Sequence, residues 1–269
     1  MPALRPVNDD SPVATWDGLV APLLKEPAEA LWRAHSDAVN AELMARWLPR
    51  EPCGHLLKTD LYDEAMGEGL YPLLGLHAQH VIAVDLAGSV VAAALARYPQ
   101  LLAAQADVRR LPFDRESLEI VVSNSTLDHF ESRRDIGAAL RELHRVMKPG
   151  GLLLLTMDNL TNPLVALRNA LPYGLLRRLG LISYPAGATC GPRQLERLVQ
   201  QAGFEVTETV AVLHCPRVLL VPMARRVQRH GAAADRARFL RRLLAWERLA
   251  RLPTRYVTGC FVGVHARKL

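Results

Sequence analysis

The stretch from Ala106 to Met157 constrains the fold of this chain more than any other segment. An acidic residue follows one apolar run, and a Leu-Pro-Phe turn leads to a second apolar run that ends in polar residues. A helical segment and a Lys-Pro-Gly-Gly turn then lead to a third apolar run. Apolar runs that alternate with helical segments predict a parallel, doubly wound α/β sheet. Such sheets bind ligands beyond the carboxyl ends of their strands, so the residues that end the runs form the candidate site.

The same alternation extends over most of the chain and predicts its organisation. Strands are predicted over 55–61, 80–85, 101–107, 118–123, 151–157, 204–213 and 258–266, and helices over 26–47, 69–76, 89–98, 133–147 and 191–203. Residues 1–25, rich in Pro and Asp, are predicted to form a loose arm, and residues 26–269 one domain with a core over 53–160. Helical insertions at about 160–190 and 216–255 are expected to cap this domain.

Composition limits the class of protein. With 269 residues, half of them hydrophobic, the chain can bury a large core. Its four cysteines are scattered without Cys-x-x-Cys spacing, which disfavours a metal site or disulfide framework and favours a reducing, cytoplasmic location. The first residues lack the apolar segment of a signal peptide, and no apolar run is long enough to span a bilayer. These features predict a cytoplasmic α/β protein.

Two acidic residues end neighbouring predicted strands. Asp85 closes the run 80–85, where a carboxylate can accept both ribose hydroxyls of a nucleoside. Asp107 closes the next run, before the Leu-Pro-Phe turn. The alternative for both is a turn acid, which in the case of Asp85 would stabilise the amino end of the following helix. On these residues alone both alternatives stay open.

Together these motifs resemble the class I S-adenosylmethionine-dependent methyltransferases over about Leu56–Met157. The resemblance implies a seven-stranded Rossmann-like sheet and S-adenosylmethionine as the cofactor. It also implies that Asp85 and Leu86 bind the ribose, that Asp107 approaches the adenine amino group, and that the backbone of Val108 supports the ring.

The glycine motif of that family, acidic-x-Gly-x-Gly-x-Gly, is altered in this chain and can be aligned in two registers. Counting back from the ribose acid places Gly67 and Gly69 on the last two glycines and Asp63 on the acid. Counting forward from the first strand places Lys58 on the acid and Asp60 on the first glycine. Glycines at this spacing are weak evidence alone, so both registers stay open. The candidate cofactor residues of this segment are Thr59, Asp60, Gly67 and Gly69.

Polar residues after the fourth and fifth strands are candidates for the reaction face. Asn124 is expected to face the cofactor, and His129, aided by Asp128, to act as general base on an acceptor hydroxyl. The alternative is that Asp128 and His129 begin a helix and bond the local backbone. The candidate substrate residues are His35, Asn40, Asp158, Asn159 and Tyr184.

These features predict methyl transfer to a small, hydrophobic acceptor, most simply at oxygen, in bacterial secondary or lipid-type metabolism. The alternative is a methyltransferase-fold protein whose altered loop serves other chemistry, or a non-catalytic partner. The basic segment Arg225–Arg255 indicates either peripheral membrane contact or solvated cap helices. A nucleic-acid acceptor is disfavoured, because aromatic residues are few and no Asn/Asp-Pro-Pro-Tyr/Phe motif follows the fourth strand.

Overall fold

The structure is a computed structural model that describes residues 12–25, 30–179, 182 and 185–269. Seven strands form one sheet in the order β3-β2-β1-β4-β5-β7-β6. The strands are β1 (Cys53–Lys58), β2 (Ala78–Asp85), β3 (Leu102–Gln105), β4 (Leu118–Asn124), β5 (Met147–Asp158), β6 (Phe204–Val212) and β7 (Phe261–Lys268). β7 is antiparallel to β5 and β6, and the other paired strands are parallel. The predicted doubly wound, mostly parallel seven-stranded sheet is confirmed.

Helices cover both faces of this sheet. They are α1 (Pro12–Val20), α2 (Ala30–Trp47), α3 (Tyr62–Met66), α4 (Tyr71–Leu74), α5 (Gly88–Arg97), α6 (Arg133–Val146), α7 (Pro163–Ala170), α8 (Tyr173–Arg178), α9 (Pro192–Gln201), α10 (Arg217–His230), α11 (Ala233–Leu244) and α12 (Arg255–Thr258). Turns of 3₁₀ helix cover Leu23–Lys25, Leu127–His129 and Ala245–Arg251. Within the described ranges no helix is both long and apolar enough to cross a membrane.

The core consists of one apolar layer on each face of the sheet. Because side chains alternate along a strand, Leu56 of β1 faces the layer under α2 and α5, and Leu57 faces the layer under α6 and α9. Ile120 and Val121 of β4 divide between the same two layers. Near-continuous apolar strands are what a sheet buried on both faces requires.

The connection from α6 to β5 shows how local sequence sets this geometry. Ser132 caps α6 by accepting a hydrogen bond from the N–H of Asp135 at 3.2 Å. A side chain at Gly151 would place its Cβ 2.8 Å from the carbonyl oxygen of Glu119, so glycine allows β5 to approach β4 closely. The Lys-Pro-Gly-Gly signal thus marks where β5 joins the sheet.

The structure corrects the sequence predictions in two places. The helix expected over 69–76 is only the short α4, and α3 forms in a stretch without helical periodicity. Residues 12–25, expected to belong to a loose arm, include α1, which packs against α5. The aspartate of this helix, Asp17, accepts a hydrogen bond from the N–H of Ser89 at 3.0 Å, and this contact fixes α1. The division into an arm and one domain stays a prediction.

Candidate active site

The carboxyl ends of the parallel strands meet at one edge of the sheet, where polar side chains collect. Lys58 ends β1, Asp85 ends β2, Asn124 ends β4 and Asp158 ends β5, and Asp107 lies two residues beyond β3. We call this edge the strand-end site. Sheets of this kind bind their ligands here.

Asp85 is almost fully buried and is fixed by two backbone groups. The N–H of Leu61 donates to one carboxylate oxygen and the N–H of Ala87 to the other, each at 2.9 Å. Burial raises the pKa of Asp85, and these hydrogen bonds, Lys58 and His129 oppose the rise. A carboxylate offers about four lone-pair positions, so positions remain for ribose hydroxyls. The prediction for Asp85 is consistent with this geometry.

Lys58 stands at the end of β1, where the family motif has its acid, so the strand supports the second register. Its ammonium lies 2.8 Å from Glu64 Oε2 and 3.0 Å from Asp60 Oδ2, and it donates to the Asp60 carbonyl at 2.6 Å. The side chain of Lys58 is 1% exposed and that of Glu64 is 0% exposed. Burial alone would lower the pKa of Lys58, but the carboxylates raise it well above its usual range.

The two glycines predicted to contact the cofactor face the protein's own acids instead. Gly69 has φ +62°, and a Cβ there would lie 2.6 Å from Glu64 Cδ. The other oxygen of Glu64 accepts the N–H of Leu70 at 2.8 Å, which locks this turn. Gly67 is extended, with its Cβ position 3.4 Å from Asp37 Oδ2. Gly69 therefore has a packing role in this turn, and its cofactor contact stays a prediction.

Acids outnumber bases around Lys58. The acidic cluster consists of Asp37, Asp60, Asp63 and Glu64, with Lys58 and Arg33 as its cations. Arg33 pairs with Asp63 at 3.2 Å. Burial, Asp63 and Glu64 raise the pKa of Asp37 to about 7, against the effect of Arg33. Burial also raises the pKa of Asp60 to about 7, in spite of the nearby Lys58 ammonium.

This excess of acids suits a cationic ligand. The methionine end of S-adenosylmethionine carries a sulfonium and an ammonium against one carboxylate, and so brings a net positive charge. An opposite charge within a few ångströms favours the ionised form of a carboxyl group. The donor set around Asp85 and the acidic cluster therefore fits this cofactor, although glycines do not form its cradle.

The adenine end is shaped by an arginine that the sequence prediction missed. Arg109 Nε and Nη2 bind the carboxylate of Asp107, the shortest contact being 2.7 Å. The guanidinium also lies over the ring of Phe130, 4.9 Å from its centroid. Val108 is buried. An adenine amino group would therefore share Asp107 with Arg109, and the Asp-x-Arg spacing was the available signal.

Thr59 and Asn124 are buried between strand ends rather than open to the site. Thr59 Oγ1 donates to Ser123 Oγ at 3.0 Å and lies 2.8 Å from Thr126 Oγ1. Asn124 Oδ1 accepts the hydroxyl of Thr156 at 2.5 Å. These bonds tie β1, β4 and β5 together, so both residues support the site from beneath.

His129 is half-buried and lies in the short turn Leu127–His129 that follows the end of β4, next to Asp128. Trp16 of α1 packs on its imidazole with ring centroids 4.9 Å apart. Asp128 is buried, and its carboxylate accepts the backbone N–H of Asp158 at 2.9 Å. Asp128 is thus held by the backbone beside His129, and the general-base role of His129 stays a prediction.

At the mouth of the strand-end site an ion pair joins the end of β5 to α7. Asp158 Oδ2 lies 2.5 Å from Arg168 Nη2. The carboxamide of Asn169 also accepts from this guanidinium, at 2.8 Å. The exposed leucines of α7, α8 and the residue after α8 are Leu164, Leu167, Leu175 and Leu179. These leucines belong to the insertion at about 160–190 that was expected to cap the domain, whereas Arg168 was not singled out from the sequence.

His35 is buried in α2 rather than open to the strand-end site, so its substrate contact stays a prediction. Its side chain is fully buried, with its ring centroid 5.3 Å from that of Trp32 and Nδ1 4.0 Å from Cys215 Sγ. Burial lowers the pKa of His35 to about 4. Helices α10 and α11 of the insertion pack on α2, which explains the burial of His35. Asn40 of the same helix is also buried.

Asn159 makes hydrogen bonds within the fold, and its substrate contact stays a prediction. Its Nδ2 donates to the carbonyls of Tyr256 at 2.7 Å and Gly259 at 2.9 Å, and its Oδ1 accepts the N–H of Thr161. These hydrogen bonds involve both polar atoms of the carboxamide and anchor the turn before β7. Tyr184, the remaining substrate candidate, lies outside the described residues.

Comparison with known proteins agrees with this geometry. A family model described as a methyltransferase domain matches residues 63–155. The probable S-adenosylmethionine-dependent methyltransferase of Mycolicibacterium smegmatis is 27% identical over 156 residues, which are 58% of this chain and 55% of that protein. Over residues 63–155 the chain is therefore similar to class I S-adenosylmethionine-dependent methyltransferases. These similarities support S-adenosylmethionine as the cofactor.

Solved structures show how widely the fold of this chain is shared. An S-adenosylmethionine-dependent methyltransferase from Thermotoga maritima has a TM-score of 0.61 at 16% identity, covering 94% of this chain and 99% of that one. The [4+2]-cyclase SpnF has a TM-score of 0.56 at 18% identity, covering 85% and 80%. At these identities the likeness shows the fold alone. The chain spans about half the length of the M. smegmatis relative.

Proposed function

We propose that the protein transfers a methyl group from S-adenosylmethionine to an oxygen atom of a small, hydrophobic acceptor. Binding of this cofactor is supported by the acidic cluster beside Asp85, which has four carboxyl groups and two cationic side chains. The cofactor, when bound, supplies a methyl group on a sulfonium centre. Asp85 would hold its ribose hydroxyls, and Asp60 its cationic methionine end.

The mouth of the strand-end site supports the acceptor class. An apolar acceptor can pack on the exposed leucines of α7, and the Asp158–Arg168 pair beside them can orient a polar group. His129 then takes the hydroxyl proton as the oxygen–carbon bond forms and the sulfur–carbon bond breaks. Holding the acceptor oxygen in line with the methyl group supplies most of the rate enhancement.

Replacing Asp85 tests the proposed binding of the cofactor. Asp85→Asn retains one acceptor oxygen but loses the charge and one acceptor that the ribose needs. We expect at least a tenfold weaker affinity for S-adenosylmethionine by calorimetric titration, since charge-assisted hydrogen bonds contribute about 1.5–3 kcal/mol each. Asp114→Asn, at an exposed aspartate, is the control. Equal affinities of both variants and wild type would remove Asp85 from the cofactor site.

An assay with a labelled methyl group tests the proposed class of acceptor. The protein is incubated with S-adenosylmethionine labelled in the methyl group and with fatty acids, phenols, isoprenoid alcohols and amines of matched size. We expect organic-extractable label only with the oxygen acceptors, and a loss of at least tenfold in His129→Asn with cofactor affinity retained. Transfer to the amines alone would replace O-methylation by N-methylation.

A second candidate function follows from Lys58 in the place of the family's acid. A protein that binds a nucleoside but catalyses another reaction, or that serves as a non-catalytic partner, would also tolerate a lysine in place of this acid. The fold is shared with the cyclase SpnF, whose name denotes a reaction other than methyl transfer. Cofactor binding without any methyl transfer across the acceptor panel favours this candidate.

A further inference from the structure

Helices α10 and α11 form a two-helix unit that packs on α2 through apolar side chains. Ala224 is buried, and Val227, Phe239 and Leu240 pack with it against a cluster that includes Trp32 of α2. Leu243 is also buried. We call residues 217–252 the basic hairpin. Its inner face is therefore occupied, and only its outer face is free to meet a partner.

The outer face carries a concentrated positive charge. The segment 225–255, all of it described, contains ten arginines and two carboxylates, a larger excess than the net +6 of the whole chain. The exposed arginines are Arg225, Arg226, Arg229, Arg236, Arg238, Arg241, Arg242, Arg248 and Arg251. Arg238, Arg241 and Arg242 recur at helical spacing, which places them along one side of α11.

The two carboxylates of the segment 225–255 offset only a small part of its positive charge. Glu247 points inward, where it accepts the N–H groups of Leu213 and His214, each at 3.0 Å. Asp235 bonds the N–H of Ala232 at 3.2 Å and lies 3.8 Å from one arginine, Arg238. A face built in this way attracts an extended anionic surface.

Large apolar side chains lie among these arginines. Trp246 is 41% exposed between Arg242 and Arg248 in the sequence, and Met223 and Leu252 are 52% and 45% exposed. Arginines beside an exposed tryptophan and aliphatic side chains are typical of helices that lie in a membrane interface. An acidic protein or a nucleic acid would match the charge but would leave these apolar groups unexplained.

We propose that the basic hairpin docks the protein on an anionic membrane, with its arginines on lipid phosphates and Trp246 in the interface. The inference goes beyond methyl transfer, because docking requires neither cofactor nor acceptor. Anionic lipid attracts nearby basic side chains, and this attraction weakens as salt screens it.

Vesicle co-sedimentation tests the proposal with a matched pair of variants. The hairpin variant carries Arg226→Gln, Arg229→Gln, Arg241→Gln and Arg242→Gln. The control carries Arg134→Gln, Arg141→Gln, Arg193→Gln and Arg197→Gln, which remove the same charge from exposed sites on α6 and α9. Vesicles of phosphatidylserine mixed with phosphatidylcholine are compared with pure phosphatidylcholine.

We expect wild type and control to bind the anionic vesicles within about threefold of each other, and the hairpin variant at least thirtyfold more weakly. Trp246 emission should shift to the blue on binding, as judged against Trp246→Phe. Equal losses in both variants, or binding of duplex DNA or polyglutamate more tightly than the vesicles, would overturn the proposal. Retained cofactor affinity in the hairpin variant separates this test from that of the proposed function.

Discussion

Lys58 is the residue that most distinguishes this site from the family motif. A buried ammonium replaces an acid at the end of β1, yet Asp60 and Glu64 neutralise it within 3.0 Å. The reversed charge at this position is thus compensated by carboxylates of the altered loop. The methionine end of the cofactor would meet a site that is acidic as a whole.

Replacing Lys58 tests how much its buried ion pairs contribute to the free energy of unfolding. We expect Lys58→Met to lower the free energy of unfolding by about 3–5 kcal/mol, because it leaves buried carboxylates without a partner. The double variant Lys58→Met/Glu64→Gln should recover part of the loss. Urea denaturation measures both. Lys148→Met, at a more exposed ion pair with Glu119, should cost less than about 1 kcal/mol; a similarly small loss at Lys58 would contradict the buried pair.

Asp37 should make stability depend on pH. Its folded pKa of about 7 lies above the ordinary value, so the folded state holds a proton that the unfolded state releases. Stability is therefore lost as pH rises from about 4 to 7. Asp37→Asn should stabilise the protein by about 1–2 kcal/mol more at pH 8 than at pH 5, after allowance for solvent screening. Urea unfolding at both pH values gives the difference, and the same effect at both would refute the shift.

Single residues differ in how far the sequence could predict them. Asp85 was predictable because an apolar run points to the strand end and only its last residue is charged. His35 was not, because its burial depends on α10 and α11, which lie far away in sequence. Asn159 looked like a substrate residue for the same reason: its partners, Tyr256 and Gly259, belong to the last part of the chain.

At the scale of elements, the loop from α3 to α4 replaces the glycine cradle with a packed turn. Gly69→Ala should lower the free energy of unfolding by about 2 kcal/mol or more, because it combines a left-handed φ with a Cβ 2.6 Å from Glu64. Gly67→Ala should cost less than about 1 kcal/mol, since its backbone is extended. Thermal unfolding compares the two, and equal effects would mean that the turn does not depend on Glu64.

Strands were easier to predict than the short helices. β1, β2, β4 and β5 have apolar runs bounded by turns, and all four occur where the sequence placed them to within a few residues. α3 has five residues and no periodicity to detect. α1 owes its position to contacts at α5 and His129, so its local sequence carried little signal.

At the scale of the whole molecule, the strand order brings together residues from five separate strand ends. The same order places α1 over the edge, the acidic cluster beside Asp85, and α7 at the mouth. The fold was therefore predictable from its alternation of strands and helices. The charge balance of the site was not, because it sums contributions from α2, β1 and α3.

Calorimetric titration with S-adenosylmethionine and S-adenosylhomocysteine at pH 6 and pH 8 tests the central claim most directly. The account predicts micromolar binding, about −8 kcal/mol. It also predicts that the preference for the cationic S-adenosylmethionine over the product increases at pH 8, where Asp37 and Asp60 are ionised. A preference that stays constant with pH would contradict the role of the acidic cluster. Absence of binding by either ligand at both pH values would contradict the cofactor site itself.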